Sequence, residues 1–121
     1  MSIDFRGRLG GVRPLDTNNW NLIANVMEGQ RYYVSHIIVC NMTGGALTFR
    51  IYASQGVGSS DSEVYAQYYD KNIAANDTII AELGIYINVG ETLVVRASAG
   101  DSITFTAHGY LEDISSKGAE G

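Results

Sequence analysis

The chain has 121 residues, 45% of them hydrophobic and 17% charged, with fourteen glycines against one proline and a formal net charge of −5. It is long enough to bury one core without disulfides and too apolar for disorder, while its acidic surplus disfavours a partner whose phosphates must be neutralised, so nucleic acid is excluded as a partner. No apolar run nears the roughly 20 residues that cross a bilayer, no apolar segment follows the N-terminal charges, and the single cysteine, Cys40, lacks an intrachain partner; the expectation is synthesis in a reducing cytoplasm, away from membranes.

Residues 1–19 mix Gly7, Gly10, Gly11 and Pro14 with Arg6, Arg8 and Arg13 and follow neither period, which predicts an extended N-terminal arm. In residues 20–27, WNLIANVM, Trp20, Leu22, Ala24 and Val26 share one face of a first strand, ended by Glu28-Gly29-Gln30. Residues 32–41 are rich in β-branched and aromatic side chains and apolar on both faces at Ile37, Ile38 and Val39, as a central strand covered on both sides would be. Thr43-Gly44-Gly45 predicts a tight hairpin turn accepting positive φ, leading into residues 47–53, where Leu47, Phe49, Ile51 and Ala53 alternate with Thr48, Arg50 and Tyr52 on a strand with one buried face.

Residues 54–62, SQGVGSSDS, read as a polar surface loop, and residues 63–69, EVYAQYY, as the next strand. Residues 70–77, DKNIAAND, form turns; residues 78–83 and 85–89 are apolar runs hinged at Gly84, which predicts a strand that bends or bulges so that its halves serve different sheets. Gly90-Glu91 turns the chain into the strand at 92–98, and Ala99-Gly100-Asp101 reads as a hairpin-type turn into 102–111, where Ile103, Phe105 and Ala107 alternate with Thr104, Thr106 and His108.

About eight short strands with frequent turns and no helical segment predict an all-β fold, an antiparallel sandwich with jelly-roll wiring preferred to a small barrel or an immunoglobulin-like arrangement. The latter lacks its paired cysteines and strand-borne core tryptophan here. The domain is expected over residues 20–114, between the arm at 1–19 and a loose polar tail at 115–121. Leu22, Val34, Ile38, Leu47, Phe49, Ile51, Leu93, Val95, Ile103 and Phe105 are the expected core.

Catalytic chemistry finds little support. His36 and Cys40 share a strand face but stand about 13 Å apart at roughly 3.3 Å per residue, too far for a dyad, and Cys40 reads as a small buried hydrophobe. His108 falls on a polar face. No GxSxG, HExxH or phosphate-binding loop occurs, and Asp61, Glu63, Asp70 and Asp77 lack calcium-loop spacing, so neither an enzyme nor a metal or other cofactor is expected. The sequons at Asn41 and Asn76 read as turn chemistry. The eight tyrosines are more informative: Tyr32-Tyr33, Tyr65 and Tyr68-Tyr69 place rings on both faces of their strands, so some of them must face outward, where tyrosine suits contacts with another subunit or a glycan.

Residues 39–41 and 47–51, then Ala74-Ala75-Asn76-Asp77-Thr78, Leu83-Gly84-Ile85, Val89-Gly90-Glu91-Thr92-Leu93-Val94-Val95 with Ala97-Ser98, and Phe105-Thr106-Ala107-His108-Gly109 form a pattern that resembles the short all-β virion proteins of tailed bacteriophages. The resemblance covers about two-thirds of the chain, residues 31–112, and carries no site residues. It implies a structural role in the virion: a decoration or cement protein bound to the major capsid protein, or alternatively a neck, tail or baseplate component. A homo-oligomer, taken as a trimer, is part of that expectation, and a carbohydrate-binding module used in host attachment is the competing reading. The candidate interaction residues are Arg6, Arg8 and Arg13, able to pair with carboxylates of a neighbouring subunit, and Tyr65, Tyr68 and Tyr69.

Overall fold

The computed structural model describes residues 2–55 and 65–114. Its strands are β1 (Ser2–Val12), β2 (Trp20–Ile23), β3 (Gln30–Asn41), β4 (Leu47–Gln55), β5 (Ala66–Ile73), β6 (Thr78–Ile87), β7 (Glu91–Ala97) and β8 (Ile103–Asp113). Sheet A has the order β1-β8-β3-β6 and sheet B the order β2-β7-β4-β5, with every neighbouring pair antiparallel. The chain changes sheet at every connection except β4 to β5. The protein is thus an all-β antiparallel sandwich, as the strand count and turn spacing predict.

The core forms where the apolar alternation of the two sheets meets. Of the expected core, Leu22, Val34, Phe49, Ile51, Leu93, Val95, Ile103 and Phe105 are buried, and Leu47 packs at the margin. Phe49 from sheet B meets Phe105 from sheet A edge to face, with ring centroids 6.0 Å apart. Ile38 is the exception: it is only half-buried, and Ile37 and Val39 take the inward places. The cause is a β-bulge. Between the pairs Val34–Gly109 and His36–His108, β3 holds one extra residue, Ser35, which reverses the facing of everything after it.

The same level of sheet A is irregular on both sides. Leu9 is an extra residue of β1 between Arg8 and Gly10, and Leu83 with Gly84 on β6 stand opposite the single Ser35. Gly84 adopts φ +67°, a conformation costly for any residue with a Cβ. The predicted hinge at Gly84 is therefore a bulge within one continuous strand, and both halves of β6 stay in sheet A. At the same level β3 and β8 approach so closely that a Cβ on Gly109 would run into the backbone of Tyr33.

Three further expectations change. The predicted hairpins from β3 to β4 and, at Ala99-Gly100-Asp101, from β7 to β8 are corners, because β3 and β8 lie in sheet A and β4 and β7 in sheet B, and Gly44 and Gly45 are not among the left-handed residues. Much of the predicted arm, Ser2–Val12, is edge strand β1, hydrogen-bonded to β8 from Ser2–Asp113 to Val12–Phe105. The sides of the strands covered also differ: β4 and β7 are buried on both faces, with Tyr52, Val94, Ser54 and Thr92 on the outer one, whereas the outer face of β3 is half-exposed. Loop residues 56–62 and the tail 115–121 lie outside the described residues.

The corner after β3 is held by Asn41, which is 1% exposed. Its side-chain amide donates to the carbonyls of Gly45 at 2.9 Å, Ala74 at 3.0 Å and Ile73 at 3.3 Å, and its oxygen accepts from the Thr43 amide at 2.9 Å and hydroxyl at 2.8 Å. The Asn41 and Met42 amides donate to the carbonyls of Asp77 and Ser102, at 2.9 Å each. Asn41 thereby ties the β3–β4 and β5–β6 connections together, and Met42 beside it adds the β7–β8 connection; this use of the Asn41 amide places the first sequon inside the fold.

Two substitutions test this architecture by thermal or denaturant unfolding. Phe49→Ala is expected to cost about 3–5 kcal/mol, as removal of a fully buried ring does, and an unchanged melting temperature would contradict its placement. Asn41→Ala is expected to cost about 1–3 kcal/mol, because it strands buried carbonyls without a donor.

Candidate functional site

The outer face of sheet A departs most from what a solvated sheet surface requires. Reading across strands β1, β8, β3 and β6, its register forms four rows: Arg6, Tyr110, Tyr33 and Tyr86; Arg8, His108, His36 and Glu82; Gly11, Thr106, Ile38 and Ile80; and, on the last three strands, Thr104, Cys40 and Thr78. Positions that usually carry Lys, Glu or Thr hold tyrosine, histidine and isoleucine instead. Ile80 is 62% exposed and Tyr86 39%.

The rings form a ladder. Tyr33 stacks on Tyr110 with centroids 4.9 Å apart and meets Tyr86 edge-on at 5.2 Å, and the Tyr86 and Tyr110 hydroxyls lie 3.4 Å apart. Hydrogen bonding to Tyr86, reinforced by desolvation and nearby charge, pushes the Tyr110 phenol up to about 12. The guanidinium of Arg31 lies 3.9 Å over the Tyr86 ring and donates from Nε to Glu112 Oε1 at 2.6 Å. The Glu112 side chain is 5% exposed, and this hydrogen bond raises the Arg31 pKa further above its ordinary value. The tyrosine row is thus anchored at one end by a charged pair that packing holds in place.

The bulges open a crease beside the ladder, lined by Tyr33, Ser35, His36, Ile80, Glu82, Leu83 and Gly84. His36 and His108 stack nearly parallel, 6° between planes and 5.1 Å between centroids. At the β1 side Gly11, which carries no side chain on this face, leaves a notch bordered by Leu9, Gly10, Val12, Arg13, Met42 and Thr106. The face therefore combines apolar and aromatic area with one positive and one negative edge, a composition suited to contact with another macromolecule.

The residues singled out from sequence do not gather in one place. Arg8 is exposed at the β1 edge of this face, whereas Arg13 pairs with Asp101 at 3.2 Å and donates to the Met42 sulfur. Arg6 sits opposite Tyr110 in the register, and its side chain lies outside the described residues. Tyr65 is half-buried just before β5. Tyr68 packs against the core near Phe49, its hydroxyl donating to the Glu82 carbonyl at 3.0 Å, so it closes the seam between β5 and β6. Tyr69 is 45% exposed on sheet B beneath the Arg50 guanidinium, 4.1 Å from its ring centre.

Arg50 stands opposite Arg96 in the β4–β7 register, in a second concavity lined also by Thr17, Thr48, Asp70 and Ser98. Asp70 takes two hydrogen bonds from Arg50, at 2.6 and 3.1 Å, which hold its carboxyl below the usual range, and Arg96 Nε donates to the Thr17 carbonyl at 2.8 Å. Of the other acidic residues weighed for metal binding, Asp77 accepts the Thr78 amide, and Asp61 and Glu63 lie outside the described residues. Cys40 is half-buried on the outer face of sheet A, a less enclosed place than a core hydrophobe would have.

The tyrosine and histidine rows escaped the sequence reading, although each strand carries a trace of them. In β6, TIIAELGIYI, the outward alternate positions include Ile80 and Tyr86, and in β8 His108 and Tyr110 occupy the polar phase.

Burial, followed by the neighbouring His36 and Arg8, holds the His108 imidazole below its ordinary 6.5. The unfolded chain then takes up this proton at a higher pH than the folded one does, so the contribution of His108 to stability falls as pH drops below about 6.5. The loss of melting temperature between about pH 7.5 and pH 5 is expected to be smaller in His108→Asn than in the wild type; equal losses would show that His108 carries no such linkage. No family model matches this chain, and neither a curated protein nor a solved structure matches it.

Proposed function

We propose that the chain is a structural protein of a bacteriophage virion, acting through protein–protein contacts rather than catalysis, with head decoration or cementing as the preferred role and a neck, tail or baseplate position as the alternative. The observation that carries the reading is the outer face of sheet A, where Tyr33, Tyr86, Tyr110, Ile38 and Ile80 present aromatic and apolar area that a solitary sandwich has no reason to expose. The resemblance we read in its strand and turn pattern to short all-β virion proteins supports it, and we read the two strand orders as jelly-roll wiring, two interlocked Greek keys of four strands. A protein of this kind works in many copies on a symmetric particle, with the major capsid protein as its principal partner.

One feature favours a second reading: three adjoining tyrosines on an open face are also a stacking platform for a sugar ring. Glycan-array binding lost in Tyr86→Ala would support a carbohydrate-binding module instead.

Quantitative mass spectrometry of purified particles tests the main reading. Decoration predicts on the order of hundreds of copies per virion, and a neck or tail position about six to a few dozen. Absence from the particle would overturn the proposal.

A further inference from the structure

We propose that the outer face of sheet A docks onto the same face of a second copy of this chain, about a two-fold axis parallel to the strands. The inference rests on the reading of the chain as a contact-forming protein and names the occupant of that face. It makes the basic assembly unit a pair, where the family resemblance suggests three.

The register supports the symmetry through charge. The second row runs Arg8, His108, His36, Glu82, positive at the β1 edge and negative at the β6 edge, and both charged residues are exposed. A two-fold axis along the strands exchanges the two edges, so Arg8 of each copy faces the partner's Glu82, and His36 faces the partner's His108. An axis running across the strands at this row would instead oppose like charges. The strand-parallel axis also brings the two sheets together nearly aligned, the usual arrangement for packed sheets.

Shape gives an independent argument. The next row runs Gly11, Thr106, Ile38, Ile80, so the same operation places the protruding Ile80 over the notch that the partner's Gly11 leaves. The most exposed isoleucine of the face thus meets its emptiest position. Size is compatible too. The strands of sheet A are 10 to 12 residues long. Four such strands about 4.8 Å apart present roughly 600 Å² of projected face, near the ~800 Å² per partner of a standard interface.

Sedimentation of the full chain tests this with charge reversals. The wild type is expected to dimerise reversibly, and Arg8→Glu and Glu82→Arg, each alone, to weaken the dimer by at least about tenfold, since each sets like charges together twice. Mixing the two single variants is expected to restore association, because in the mixed pair both contacts again join opposite charges, and the double variant R8E/E82R is expected to restore it as well. Ile80→Lys should abolish the dimer, with circular dichroism and melting showing the monomer still folded.

A wild type that stays monomeric to about 1 mM, single variants that associate as tightly as the wild type, or a mixture that fails to recover would overturn the inference. A monomer abundant in virions would refute the pair while leaving the proposed function standing. A charge-dependent dimer absent from virions would do the reverse.

Discussion

Much of this molecule depends on one line of surplus residues across sheet A. Leu9 in β1, Ser35 in β3 and the Leu83–Gly84 step in β6 sit at nearly the same level, and each breaks the plain alternation of its strand pair. A strand has period two, so a single inserted residue exchanges its faces: Val34 points inward before the break, and Ile37 and Val39 do so after it. Without that exchange His36 would fall in the core and the imidazole pair could not form on the surface. The bulges therefore decide both what is buried and what the open face offers.

The sandwich is closed at one end by a different device. The Asn41 amide reaches carbonyls in two separate connections, and the backbone amide of the next residue, Met42, binds a third. A buried polar group with all its partners satisfied is specific in a way that apolar packing is not, because few alternative arrangements satisfy the same set of bonds. Apolar contact between Phe49 and Phe105 gives the sheets a reason to approach, and the node at Asn41 sets how the corners meet.

The legible parts of the fold are those where alternation runs unbroken. Ile103 with Phe105 stood out because the inward side of β8 keeps a strict period of two, and Leu93 with Val95 because they sit in the unbroken apolar run of β7. Ser35 gives no warning of a bulge, since neither glycine nor proline marks it, and the error at Ile38 follows directly. Thr43-Gly44-Gly45 was readable as a change of direction, but a corner between sheets and a hairpin within one use similar residues. β1 was hidden because Gly7, Gly10 and Gly11 interrupt its pattern and its partner, β8, lies at the far end of the sequence. The candidate face was harder still: Tyr33, Tyr86 and Tyr110 come from three strands, and only the cross-strand register brings them into one row.

The position of β8 has a bearing on how the chain is made. It lies between β1 and β3 at the middle of sheet A, yet of the eight strands described it is the last in chain order, so β1 and β3 have no shared neighbour until residues 103–113 are made. Of sheet A only the β3–β6 pairing can form before then, and topologies rich in such distant pairings belong to the slower-folding class. Through that interval the edge of β3 that β8 later covers stands open, with its backbone donors and acceptors unpaired.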